Sequence, residues 1–128
     1  MSISTSSRVQ FLDITRRVQA EVSKRNVKNG ICHLYVTHTT AGLTINENAD
    51  PDVTTDLINI LEKLVPVRGG YLHSEGNSDA HMKASMMGFS LMIPVIEGRL
   101  ALGTWQGIYF CEFDGPRSRK LLFGTSGE

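Results

Sequence analysis

This 128-residue chain has little of what marks the specialised protein classes. It holds two cysteines, Cys32 and Cys111, far apart and in apolar surroundings. Two are too few for the disulfide framework of a small secreted domain, so both are expected as packed free thiols. Four prolines and the lack of any Pro/Gly/Ser tract or internal repeat exclude linker, low-complexity and solenoid architectures. No apolar run is long enough to span a bilayer, and no membrane partner is expected. Thirteen basic residues balance thirteen acidic ones. The chain therefore lacks the net positive field on which nucleic-acid binders depend, and no nucleic-acid partner is expected either. Residues Met1 to Ser7 have neither the basic n-region nor the apolar h-region of a secretory signal, which points to the cytoplasm. P-loop, GxGxxG, GxSxG and CxxC patterns are missing, so nucleotide-fold and serine-hydrolase readings have no support.

What is present is the composition of an ordinary globular protein, 41% hydrophobic and 20% charged, sized for one domain over residues 1–128. Residues 8–13 read as a strand. Ile14, Val18 and Val22 then recur at four-residue spacing, predicting an amphipathic helix that ends near Asn29-Gly30. Residues 31–38 alternate as a strand, with Cys32, Leu34, Val36 and His38 on the more apolar face. Leu43 to Glu47 is a short strand, and Asp50-Pro51 caps and opens a helix that Pro66 stops. Ser78 or Asp79 can cap a further helix ending at Gly88. Phe89–Ile96 and Arg99–Phe113 are strands joined by a tight Glu97-Gly98 turn, and Pro94 marks an edge or a bulge. Both chain ends, Met1 to Ser7 and Gly124 to Glu128, read as frayed. The order predicts an α+β fold with a largely antiparallel sheet or sandwich and two to three helices.

The chemistry concentrates in His73-Ser74-Glu75-Gly76-Asn77-Ser78-Asp79-Ala80-His81, which sets two imidazoles and two carboxylates around one glycine. Imidazole is the commonest metal ligand and titrates near neutrality. His81 falls in the first turn of a helix, whose positive end favours the neutral ring needed by a ligand or general base. His38 ends its strand beside Thr39-Thr40-Ala41-Gly42, a stretch of hydroxyls and amides suited to an anion or a water. His38, His73 and His81 are thus candidates for one site, whereas mid-strand His33 is read as a surface or interface residue. Asn46, Glu47, Asn48 and Asp50 form a second polar cluster; Asp50 and Asp52 read as helix-terminal charge, and Glu47 stays open as acid, base or ligand. Gly103 and Gly107 flank Trp105, leaving room for a ligand or a subunit, and Trp105 is either a core residue or a stacking platform. Arg117 and Arg119 share a strand face and could fork onto phosphate oxygens, or simply protect a solvated edge.

The strings from His38 to Pro51, from His73 to His81, and Gly98-Arg99-Leu100 through Leu102-Gly103-Thr104-Trp105-Gln106 closely resemble the YjbQ family, over nearly the whole chain. The resemblance implies a small α+β homotrimer with a histidine-lined pocket near subunit boundaries. It also implies a secondary thiamine-phosphate synthase, which would join hydroxymethylpyrimidine diphosphate to thiazole phosphate and release pyrophosphate. By matching position, His38, His73 and His81 would form the histidine site and hold a divalent metal, Mg or Zn. His38, His81 and Glu47 would be catalytic, and Trp105, Gln106, Arg117 and Arg119 would bind the phosphorylated substrate; Glu75, Asn77 and Asp79 receive no role. Two alternatives use the same pocket: a non-catalytic trimer that binds a metal or small anionic metabolite, and a metal-dependent phosphoester hydrolase.

Overall fold

Short apolar runs broken by turn residues build eight strands and three helices in a computed structural model that describes residues 1–128. Five strands form one sheet in the order β1 (Ser2–Ser4), β8 (Ser118–Gly127), β3 (Gly30–Val36), β5 (Ser90–Ile96) and β6 (Arg99–Leu100). The other three form a second sheet in the order β2 (Gln10–Asp13), β7 (Gln106–Glu112) and β4 (Ala41–Glu47). Every pairing is antiparallel, so the chain is α+β as its pattern predicts.

Alternation in β3 turns Cys32, Leu34 and Val36 inward. They meet Leu43, Ile108 and Phe110 of the second sheet and Val18 and Val22 of α1 (Thr15–Lys24). Strand β7 is buried on both faces. Ile108 and Phe110 face that core, while Tyr109, Cys111 and Phe113 pack with Leu61 of α2 (Pro51–Leu64) and with Ala80 and Ala84 of α3 (Ser78–Met87). The three-stranded sheet is thus the middle layer, which explains why residues 107–113 read as nearly continuous apolar sequence.

Local signals explain most element boundaries. Asp50 accepts from Asp52 N–H at 2.9 Å with Pro51 in the first helical position, so α2 starts as its sequence dictates. Glu97 and Gly98 have φ of 51° and 79°, the two left-handed residues a two-residue hairpin turn requires. Helix α1 stops at Lys24, well short of Asn29, because Asn26 takes the left-handed conformation at φ 55° and reverses the chain. Helix α3 is capped by neither Ser78 nor Asp79; Asn77 occupies the cap position and its side chain is engaged elsewhere.

The strand expected over Arg99–Phe113 is divided. It ends at Leu100, crosses a turn at Thr104-Trp105, and resumes as β7 in the other sheet. Pro94 lies on β5 where β6 no longer pairs, and its carbonyl accepts from Ala101 N–H on that side. Its missing N–H therefore removes nothing from the β3 ladder. The ends are not frayed: residues 2–4 are β1, and β8 pairs with β3 from Leu121 to Gly127.

Candidate functional site

Three connections converge at one end of the two sheets: Thr37 to Thr40 between β3 and β4, His73 to Asn77 entering α3, and Asp114 to Arg117 between β7 and β8. They enclose a cleft of about 460 Å³ whose eleven lining residues include no hydrophobic one. His38, His73, His81, Arg117 and Arg119 all line it.

Arg119 is not a solvated edge residue, since β8 lies between β1 and β3 and the side chain is 4% exposed. Its Nε donates to Glu112 Oε1 at 2.8 Å, and its Nη2 donates to Glu112 Oε2 and, at 2.8 Å, to Thr40 Oγ1. Glu112 also accepts from Thr5 Oγ1 at 2.7 Å and from the N–H groups of Phe113 and Asp114 at 3.1 Å. Burial alone would raise the Glu112 carboxyl. Hydrogen bonds from Arg119, Thr5 and Asp114 N–H, with the charge of Arg119, outweigh it and hold the group below its ordinary range. Arg119 is thus held in place by an ionised partner, and its Nη1, on a residue that lines the cleft, has no protein acceptor. Arg117 is half exposed and anchored by Nε to Asp114 O at 2.7 Å and Nη2 to Asp114 Oδ2 at 3.0 Å. Two oriented guanidinium groups therefore border the same space.

His38 Nε2 accepts from Lys120 N–H at 2.8 Å. Burial lowers its pKa, and the charges of Arg119, Arg117 and Lys120 lower it further against the opposing effect of Glu112. The ring is therefore neutral with its hydrogen on Nδ1, an N–H donor rather than a free base. His73 and His81 stand edge to face with ring centroids 5.5 Å apart. Asn77, which also lines the cleft, donates from Nδ2 to Asp114 Oδ2 at 2.8 Å and to Glu75 Oε2 at 3.4 Å.

These side chains do not fit the three-histidine metal site that the sequence suggests. The Nε2 lone pair of His38 is used by Lys120, and its Nδ1 carries the hydrogen. No three His, Cys, Asp or Glu side chains come together as a group that could hold a metal ion.

Three further candidates lie elsewhere. Glu47 pairs with Gln106 at the far end of β4 and β7, six residues from Glu112 along the strand, or roughly 20 Å at strand rise. Gln106 Oε1 accepts from Gly103 N–H at 2.8 Å and closes the turn. The Glu47 carbonyl accepts from Tyr109 Oη at 3.1 Å, and Trp105 is 62% exposed. Within one chain, Glu47, Trp105 and Gln106 do not join the histidines. Asp79 is also absent from the cleft, being fully buried between Arg8 and Lys83, each 3.0 Å away.

The sequence pattern gives no role to Glu112 or Asp114, the anchors of the two arginines. The signal for Glu112 was its isolation in the apolar run 107–113, since a carboxylate there needs a cation to tolerate burial.

A family model described as "UPF0047 protein YjbQ-like" matches residues 1–128. The UPF0047 protein YugU of Bacillus subtilis is 50% identical over 128 residues, covering 99% of this chain and 97% of that protein. The UPF0047 protein MJ1081 of Methanocaldococcus jannaschii is 50% identical over 126 residues, covering 98% of this chain and 91% of the relative. Among solved structures, a YjbQ/UPF0047-family protein of Clostridium acetobutylicum superposes with a TM-score of 0.96 at 53% identity, covering 98% of both chains. No helix is long and apolar enough to cross a membrane.

Proposed function

The chain belongs to the UPF0047 YjbQ-like family, and from that premise we propose that its polar cleft binds small phosphorylated molecules and carries the secondary thiamine-phosphate synthase reaction. The observation that supports this reading most is the Arg119 guanidinium, held by Glu112 and Thr40 with one nitrogen left for the cleft beside Arg117 and the Nδ1–H of His38. Preorganised donors of this kind stabilise charge that develops on a leaving group.

The thiazole ring nitrogen gives its lone pair to the methylene carbon of hydroxymethylpyrimidine diphosphate. The carbon–oxygen bond breaks, and its electrons depart on pyrophosphate. The nucleophile has no proton to lose, so the protein's task is to orient two substrates and receive the pyrophosphate charge. Arg117 and Arg119 receive it, and His38 donates to a departing oxygen. His73 and His81 line the same cleft. The reaction is assigned to the cytoplasm and to a homotrimer, whose contacts would cover exposed apolar residues such as Trp105, Met92 and Leu122.

The test is thiamine phosphate formation from the two purified precursors, with and without added divalent metal, using wild type, His81→Ala and Arg117→Ala. The reading expects product from wild type and a loss of about 100-fold or more in kcat for Arg117→Ala, the scale of a removed oxyanion donor. No product from a folded protein that still binds pyrophosphate would replace the synthase reading with non-catalytic binding.

A further inference from the structure

Residues 66–76 are held at their two ends and almost nowhere between. On one side Leu61 of α2 is buried and its carbonyl accepts from Val65 N–H at 2.9 Å; on the other Asn77, before α3, is buried again. Every one of residues 66–76 is exposed and lies outside helix and strand. Their hydrogen bonds are internal, Tyr71 Oη to the Pro66 carbonyl at 2.7 Å and Gly76 N–H to the His73 carbonyl at 3.2 Å, apart from the one that Asn77 Nδ2 donates to Glu75 at 3.4 Å. None of these residues takes part in an ion pair or in either hydrophobic core. Exposed backbone with so few ties is the part of a fold that moves at least cost.

The same segment supplies His73 and Glu75 to the cleft. It also curls around a second void of about 350 Å³ lined only by its own residues, Val67, Arg68, Tyr71 and His73 among them. The segment is therefore not packed even against itself and has room to fold down. Gly70 and Gly76 have φ of 71° and 72° with open space where a side chain would stand, so the backbone can turn at both. Between them lie Tyr71, 41% exposed, and Leu72, fully exposed, apolar side chains without a partner next to a histidine of a cleft that has no hydrophobic lining.

We infer that residues 66–76 are a lid, turning at Gly70 and Gly76, that closes when an anion occupies the cleft and brings Tyr71 and Leu72 over it. This inference rests on the phosphate-binding reading above and adds the regulation of that site by closure. His73 rides on the lid and donates to the bound anion in the closed form, which supplies the differential affinity that closure requires. Glu75, which an anion repels, has the Asn77 amide to face instead. Closure gives the proposed reaction what an open cleft lacks: a carbon that is losing pyrophosphate reacts with water as well as with the thiazole nitrogen, and a lid that expels water removes that side reaction.

Labelling by N-ethylmaleimide tests it on Leu72→Cys, with Asp56→Cys on α2 as the reference, each with and without pyrophosphate after chelation of metals. Both native cysteines are buried, so the introduced thiol is the one that reacts, and Leu72 and Asp56 are exposed positions that tolerate the change. Leu72 does not line the cleft, so a bound ion does not shield it directly. Saturating pyrophosphate should slow the labelling of Leu72→Cys by about 10-fold, the reduction given by a bound protein that spends about nine-tenths of its time closed, and leave Asp56→Cys unchanged. Adding His73→Ala to Leu72→Cys should reduce the slowing below about 3-fold, because the contact that favours the closed form is gone. A Leu72→Cys rate that pyrophosphate leaves unchanged in a protein that binds it by calorimetry, whether fast throughout or slow throughout under a second copy of the chain, would overturn the lid while leaving the phosphate site standing. Failure of the folded protein to bind pyrophosphate would overturn the phosphate-binding reading and this inference with it.

Discussion

The Lys120 N–H that donates to His38 Nε2 decides what that imidazole can do. A protonated ring would have no lone pair for Lys120, and three cationic neighbours, Arg119, Arg117 and Lys120, oppose the added charge. The unfolded ring takes its proton near the ordinary value of 6.5, whereas the folded ring takes it only at lower pH. The folded state therefore binds fewer protons in that interval. The stability His38 contributes is fully present above pH 6.5 and is lost as pH falls through the folded value. Nitrogen-15 spectra of the histidines across this range should show His38 as the Nδ1–H tautomer at neutral pH, protonating below 6.5. An Nε2–H tautomer, or an imidazolium at neutral pH, would contradict the donor role. None of this was legible in the sequence, which shows a histidine ending a strand. The partner that fixes its tautomer is 82 residues away.

Helix α3 carries His81, and a charge network beneath it holds that helix in place. Lys83 is fully buried and meets Asp79 at 3.0 Å and Glu62 of α2 at 2.9 Å, while Arg8 reaches Asp79 from the segment before β2. Burial alone would raise the Asp79 carboxyl, but hydrogen bonds from Arg8 and Lys83 and their charges bring it below its ordinary value. Removing one member leaves a buried charge uncompensated, a larger loss than the pair itself contributes. Lys83→Met should therefore lower stability by about 3–5 kcal/mol in urea titration. A loss below about 1 kcal/mol would show that the network does not anchor α3. Sequence reading could find the Asp50-Pro51 start of α2 and the Glu97-Gly98 turn, because each is written in adjacent residues. Sequence alone offers Ser78 or Asp79 as the cap of α3, because a carboxylate near a helix start looks the same whether it meets a backbone amide or a buried lysine.

At the scale of the molecule, the antiparallel α+β plan was legible because alternation and turn residues are local, and the polar cleft was half legible. His38, His73, His81, Arg117 and Arg119 meet as their residue types suggest, drawn together by loops at one end of both sheets. Trp105, Gln106 and Glu47 carry equally suggestive chemistry but lie at the other end of β4 and β7, and only the register of those strands reveals it. The same topology gives the cleft its character, since Arg119 comes from the five-stranded sheet and Glu112 from the three-stranded one. Their pairing ties the layers together at the mouth of the site. We propose this junction as a phosphate-binding site. Calorimetric titration of pyrophosphate into wild type and Arg117→Ala, before and after chelation of metals, tests it most directly. Binding by wild type should persist after chelation and weaken by about 10-fold or more in Arg117→Ala, the loss of one charge-assisted contact. Equal binding by both proteins, or none by folded wild type, would contradict it.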